Sequence, residues 1–266
     1  MRQRVRRLLQ RVAPTWTIGL LARRARAHSH RVVQEWGCGV LNQTLIKHLG
    51  PAVQEGPFAG AILGRMATAE HLGPYLLGVY ESELDRAWDV VFRGSYPQIV
   101  DIGAKFGYYA VGFALRYPAA AVVAFDADSW ARRATREMAA ANRVTNITVL
   151  GVCGPDWLMS DLRDGAFVIS DCEGYEAELF SAEVLPYLRT VTLIIETHDE
   201  AVPGVTDRLR LAFAQTHTVD VIADGIGRRF STRTLDFLSD HDVQFANKEI
   251  RPPSQKWLLC VPKLTS

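Results

Sequence analysis

Residues 100–114 read VDIGAKFGYYAVGFA: a short β-branched run, a turn holding two glycines, and then apolar residues at helical spacing. A strand that passes through a glycine turn into a helix is the opening of a βαβ unit. The same pattern repeats downstream. Short apolar runs at 98–102 (QIVDI), 121–126 (AVVAFD), 146–151 (NITVLG), 167–171 (FVISD) and 191–196 (VTLIIE) alternate with segments of helical period at about 106–117, 128–142, 173–187 and 203–215. Two later runs, 217–222 (HTVDVI) and 256–262 (KWLLCVP), can close a sheet. The expectation is an α/β, doubly wound, Rossmann-like domain over residues 97–266. Its right-handed crossovers place the helix-preceding loops at the carboxyl edge of the sheet, where open α/β folds bind ligands.

Upstream, residues 32–96 are punctuated by Gly50-Pro51, Gly56-Pro57 and Gly73-Pro74 and read as a helical, turn-rich cap. Its last piece, from about Pro74 to Val91, has apolar residues near helical spacing and is expected to lead into the core sheet. Residues 1–31 carry nine arginines and no acid, so the rest of the chain holds a net −8 against the +1 of the whole. This basic extension suits a solvated helix, and it is also compatible with a peripheral membrane contact. The near-neutral total gives no argument for a nucleic-acid partner. No stretch approaches the roughly 18 apolar residues of a membrane span. The four cysteines (38, 153, 172 and 260) form no CxxC pair, which fits a soluble protein in a reducing, cytoplasmic compartment.

The glycine spacing discriminates among ligands. A dinucleotide fingerprint needs G-x-G-x-x-G and a P-loop needs G-x-x-x-x-G-K-S/T, and neither is present. The pattern here is D-x-G-x-x-x-G, with Asp101 two residues before Gly103 and Gly107 four residues after it. A carboxylate so near a helix N-terminus repels a pyrophosphate and attracts an ammonium group. That chemistry suits S-adenosylmethionine, with Asp101, Gly103, Ala104, Gly107 and Tyr108 forming its cradle. Asp126 ends the second run and is placed to accept the two hydroxyls of a ribose, while Asp128 reads as the N-cap of the next helix. Backbone around Cys153 and Gly154 would meet the adenine; Asp156 either accepts from its exocyclic amine or serves only the turn after Pro155.

With these residues in place, the chain resembles the FkbM-type methyltransferases. The resemblance is carried by VDIGAKFGYYAVGFA (100–114), VVAFDAD (122–128), FVISDCEGYEAELF (167–180) and LIIETHDE (193–200), and covers about half of the chain. It pairs D-x-G-x-x-x-G-Y-Y with D-x-E-G-x-E. It implies a class I methyltransferase fold, with a mostly parallel seven-stranded sheet whose last strand runs antiparallel. Where the family usually has a glutamate followed by proline, this chain has Asp126-Ala127, which keeps the carboxylate; the connection 152–166 is short.

The resemblance also places Asp171-Cys172-Glu173-Gly174-Tyr175-Glu176 at the methyl-transfer end of the pocket. Asp171 and Glu173 become candidates to position or deprotonate an acceptor hydroxyl, whereas Glu176 and Glu178 are expected only to favour a helix dipole. A capping role for Asp171 on the following helix stays open. Of seven histidines, His198 alone follows a buried-looking strand at the carboxyl edge, which makes it the candidate neutral-pH base. The reading includes no metal. Were the reaction metal-dependent, Asp171, Glu196 and His198 would supply the ligands.

The function expected is O-methylation of a small molecule or sugar. Arg228, Arg229, Arg233, Lys248 and Arg251 are available to an acidic acceptor or form a solvated face. Two other classes compete: an NAD-dependent oxidoreductase of similar topology, and a non-catalytic methyltransferase-like binding protein tethered by its basic arm.

Overall fold

A computed structural model of the chain describes residues 37–223, 230, 232–249 and 255–263, together with residues 27, 31, 33 and 35. The basic extension 1–31 therefore lies almost wholly outside the described residues, as do Arg228, Arg229, Arg251 and the side chain of Arg233. Seven strands form one sheet: β1 (Gln98–Ile102), β2 (Ala121–Phe125), β3 (Ile147–Leu150), β4 (Phe167–Ser170), β5 (Thr192–Thr197), β6 (His217–Ala223) and β7 (Lys256–Pro262). Each falls within a residue of its predicted bounds. The order is β3-β2-β1-β4-β5-β7-β6, with β1 to β5 parallel and β7 antiparallel between β5 and β6. This is the sheet of the class I methyltransferase fold. The strand order reverses between β1 and β4, and that switch point opens the ligand crevice beyond their carboxyl ends.

Among the described residues from 37 onward, the helices are α1 (Cys38–Leu49), α2 (Gly73–Leu77), α3 (Asp85–Val91), α4 (Tyr108–Arg116), α5 (Ser129–Ala141), α6 (Pro155–Ser160), α7 (Glu176–Leu179), α8 (Val205–Phe213) and α9 (Asp240–Ala246). No described helix is long and apolar enough to cross a membrane.

Alternate residues of each strand feed opposite cores, as the two-residue period of a strand requires. Val100 and Ile102 of β1, with Val168 of β4 and Leu193 and Ile195 of β5, pack under Leu158, Leu179, Leu209 and Phe213. Ile99, Phe167, Ile169 and Ile194 face the other way, towards α4, α5 and the lead-in segment 41–91. That segment shares this core with the sheet. Phe58 joins them: its ring meets Trp88 and Phe92 of the lead-in and Tyr108, Tyr109 and Phe113 of α4, all edge-on, with centroids between 5.1 and 6.3 Å. Asn142, just past α5, clamps the lead-in by accepting from Ile62 N–H at 2.8 Å and donating to its carbonyl at 2.7 Å.

Two predicted helices are broken. The segment 74–91 runs as α2, a 3-10 turn at Ser82–Leu84 and α3. Gly78 stops α2 at φ 78°, and a side chain there would sit 1.9 Å from the Glu55 carbonyl oxygen. The segment 173–187 keeps only α7 and a 3-10 turn at Leu185–Leu188, because Glu173 and Gly174 both adopt left-handed backbone (φ 55° and 94°) and Pro186 interrupts the remainder. Asp171 consequently caps no helix; Tyr175 precedes α7 without a side-chain cap.

Candidate active site

Gly103 is what brings the two halves of the crevice together. It sits at φ 95°, and a Cβ placed on it would lie 1.8 Å from the carbonyl oxygen of Asp171. Only a glycine lets the end of β1 pass this close to the end of β4. The turn it opens is internally satisfied. Gly103 and Ala104 N–H both donate to Phe125 O, Lys105 N–H donates to Asp126 Oδ2 at 2.9 Å, and Gly107 N–H donates to Ala104 O. A phosphate cradle presents such donors to its ligand; this turn spends three of them on the end of β2 and one on itself.

Asp101 lies beneath the N-terminus of α4, 3% exposed, with Oδ2 accepting from Ala110 N–H at 2.9 Å. Burial pushes its carboxyl up to about 8, helped by the charges of Asp126 and Asp171 and opposed by the Ala110 N–H. Asp126 accepts from Lys105 N–H through Oδ2 and from Asp128 N–H through Oδ1, at 2.9 and 2.7 Å. Burial raises it to about 6 against those two bonds. Each of its oxygens retains a second lone pair for a hydroxyl donor. Asp128 caps α5 by accepting from Trp130 N–H. Tyr108 starts α4 and is buried, its ring edge-on to those of Tyr75 and Tyr80.

Cys153 points away from the crevice into the core beside Phe125 and Leu158, where burial pushes its thiol up to about 12. Its side chain therefore serves packing, leaving only the backbone at 153–154 for an adenine. Asp156 lies in the first turn of α6.

At the other end of the crevice, four carboxylates converge on His198, which is fully buried just beyond β5. Nε2 lies 3.5 Å from Asp171 Oδ1, 3.8 Å from Glu173 Oε2 and 3.8 Å from Glu196 Oε2, and Nδ1 lies 3.4 Å from Glu176 Oε1. Burial alone would drive the proton off this ring, but the close approach of Glu176 and the charges of Asp171, Glu176 and Glu173 outweigh it and push the imidazole up to about 9. Its surroundings thus favour the protonated ring, whereas the base role expected of it needs the neutral one. Glu176 corrects a second expectation. It is a fully buried residue whose Oε1 also accepts from the His198 N–H at 2.8 Å. Burial works to raise its carboxyl, and the histidine overrides that to hold it below the ordinary range. Glu173, whose side chain is largely exposed, is shifted upward chiefly by the like charge of Asp171.

The sequence reading missed the residues that roof the crevice: Tyr75, Tyr80 and Glu81 from the lead-in and Trp257 from β7 line one small cavity with Asp101, Gly103 and Asp171. Tyr75 and Tyr80 stack with centroids 3.9 Å apart, and Glu81 accepts from Tyr109 OH. Lys105 reaches up to the same roof, donating to Tyr75 OH at 3.2 Å and pairing with Glu70 at 3.3 Å. Trp257 comes into play because β7 pairs with β5 in a register that sets it beside Glu196.

No family model matches the chain, and no curated protein matches it. Among solved structures it is similar to a precorrin-6y C5,15-methyltransferase from Geobacter metallireducens, at 12% identity and a TM-score of 0.47 over 67% of this chain and 89% of that one. It is likewise similar to an rRNA methylase from Streptococcus thermophilus, at 14% identity and a TM-score of 0.47 over 68% of this chain and 98% of that one.

Proposed function

We propose that the chain is an S-adenosylmethionine-dependent methyltransferase of the FkbM type, which methylates a hydroxyl group on a small molecule or sugar. The observation that carries this reading is the pair of carboxylates, the buried Asp101 and the half-buried Asp126, flanking a glycine turn in which the N–H groups of Gly103, Ala104, Lys105 and Gly107 are already engaged. Such a site accepts hydrogen bonds and cations. It fits a ligand with an ammonium group at one end and ribose hydroxyls in the middle, and the missing Cβ of Gly103 leaves room for it against the end of β4. The motifs D-x-G-x-x-x-G-Y-Y and D-x-E-G-x-E support the family reading.

When bound, the cofactor supplies a methyl group carried on a positively charged sulfur. The protein's work is alignment and proton removal. Asp101 takes the ammonium and Asp126 the ribose. Asp171 and Glu173 stand on the far side of Gly103, where an acceptor hydroxyl would deliver its proton. The His198 imidazolium, held by Glu176, keeps these carboxylates in place and offsets their mutual repulsion. The aromatic roof of Tyr75, Tyr80 and Trp257 excludes water from the transfer.

Titration calorimetry with S-adenosylhomocysteine and NAD tests the reading. Micromolar binding of S-adenosylhomocysteine that is lost in Asp101→Ala and Asp126→Ala, with none for NAD, is the expected outcome. Silence for the nucleoside or a preference for NAD refutes it.

A further inference from the structure

The His198 side chain is 1% exposed, yet neither of its ring nitrogens makes a hydrogen bond, and neither does Asp171 Oδ1, which Nε2 faces at 3.5 Å. Buried polar atoms left in this state demand a ligand or carry a cost. Glu196 Oε2 lies 3.8 Å from the same nitrogen. Bonds of roughly 2.1 Å from one cation to two ligands span up to about 4.2 Å, so both separations can be bridged. The ligating atoms of Asp171, Glu196 and His198 all lie within 4.8 Å of one another, and a small side-chain rotation closes the widest pair.

We propose that Asp171, Glu196 and His198 bind a divalent transition cation of the Mn²⁺ or Zn²⁺ type, with its open positions turned towards the crevice. The nitrogen ligand favours these ions over Mg²⁺ and Ca²⁺, which prefer all-oxygen sites. The site is stiffly built. Asp171 follows the last residue of β4, while Glu196 lies in β5 and His198 directly follows it. Glu176 Oε1 accepts from the His198 backbone N–H at 2.8 Å and lies 3.4 Å from Nδ1, which leaves Nε2 facing the other two ligands. On binding, Nε2 gives up its proton to solvent, the cation replaces the imidazolium charge, and Glu173 is left as the carboxylate that receives the acceptor's proton.

Charge argues the same way. Apart from the solvent-exposed Glu173, the carboxylates of Asp171, Glu176 and Glu196 lie within 3.8 Å of this single imidazole, so the ring alone cannot balance them. Lysines on adjoining segments are committed elsewhere: Lys105 to Glu70 and Tyr75, and Lys256 to Asp199. The inference rests on the methyltransferase reading only for what the cation would act on, an acceptor hydroxyl whose oxygen it would orient and acidify. Cation binding itself does not depend on that reading.

The test is a Mn²⁺ titration of the metal-stripped full chain, monitored by the electron paramagnetic resonance signal of the free ion and repeated with Zn²⁺ by calorimetry. Asp171→Asn and Glu196→Gln are measured alongside, with circular dichroism as the check on folding. One equivalent is expected to bind, to weaken at least about tenfold in each folded variant, and, as Mn²⁺, to broaden the His198 ring resonances of the unmutated protein. Absence of stoichiometric binding, unchanged binding in Asp171→Asn, or sharp His198 resonances under bound Mn²⁺ overturns the proposal. S-adenosylhomocysteine titrated in parallel separates the two readings: nucleoside binding without Mn²⁺ or Zn²⁺ sinks the cation site alone, and cation binding without the nucleoside sinks the methyltransferase alone.

Discussion

Replacing Asp101 with Asn should stabilise the ligand-free protein while abolishing its ability to hold the cofactor. The carboxyl is 3% exposed and pushed up to about 8 from an ordinary value of 3.8. Between those two values the folded chain keeps a proton that the unfolded chain has released. Stability therefore falls with rising pH, by about 1.4 kcal/mol per pH unit for this group. At pH 7 the accumulated cost is about 4 kcal/mol. The contribution is least unfavourable below the unfolded value and is fully felt above the folded one. Asn keeps the shape and can still accept from Ala110 N–H, but it has no proton to lose. Urea unfolding of both proteins from pH 5 to 8 is the assay. The difference between variant and parent should widen in favour of Asn by about 1.4 kcal/mol per pH unit. Parallel stability profiles would show that Asp101 titrates normally, and would remove the argument that its burial is maintained for a cationic ligand.

Asp126 and Asp128 lie two residues apart and should separate cleanly. Asp126→Ala is expected to weaken S-adenosylhomocysteine by about 10- to 100-fold, the worth of hydrogen bonds from hydroxyls to a charged acceptor, whereas Asp128→Ala should cost about 1 kcal/mol of stability through the lost cap of α5 and leave affinity unchanged. Gly103→Ala forces a side chain into left-handed backbone and onto the Asp171 carbonyl, so it should lower the melting temperature and abolish nucleoside binding together; a variant that binds normally would mean the two strand ends are not held this close. Phe58→Ala opens the aromatic cluster beneath the lead-in and should destabilise the protein by about 3–5 kcal/mol in chemical unfolding, because that ring joins segment 41–91 to α4.

Much of the fold could be read in the chain because it is written in local patterns. The runs QIVDI, AVVAFD, NITVLG, FVISD and VTLIIE announce strands by β-branching and spacing, and the glycine turn after Asp101 marks the first crossover. Asp101, Gly103 and Asp126 were accessible for the same reason: each lies at a strand end, and strand ends meet at one edge in any doubly wound sheet. The capping by Asp128 is a contact two residues long and needs no tertiary knowledge. What the tertiary structure alone decided were the partners. Glu176 looks in sequence like any acid near a helix start, and it becomes the buried anchor of His198 only because the left-handed turn at Glu173 and Gly174 swings it beneath β5. The upward shift of His198 came from Glu176, Asp171 and Glu173, a sum over space that no spacing along the chain encodes. Trp257 and the Tyr75–Tyr80–Glu81 roof reached the crevice through an antiparallel pairing and a broken helix. Local propensity and periodicity specify elements and their ends, while burial and electrostatics at the site depend on long-range packing among elements far apart in sequence.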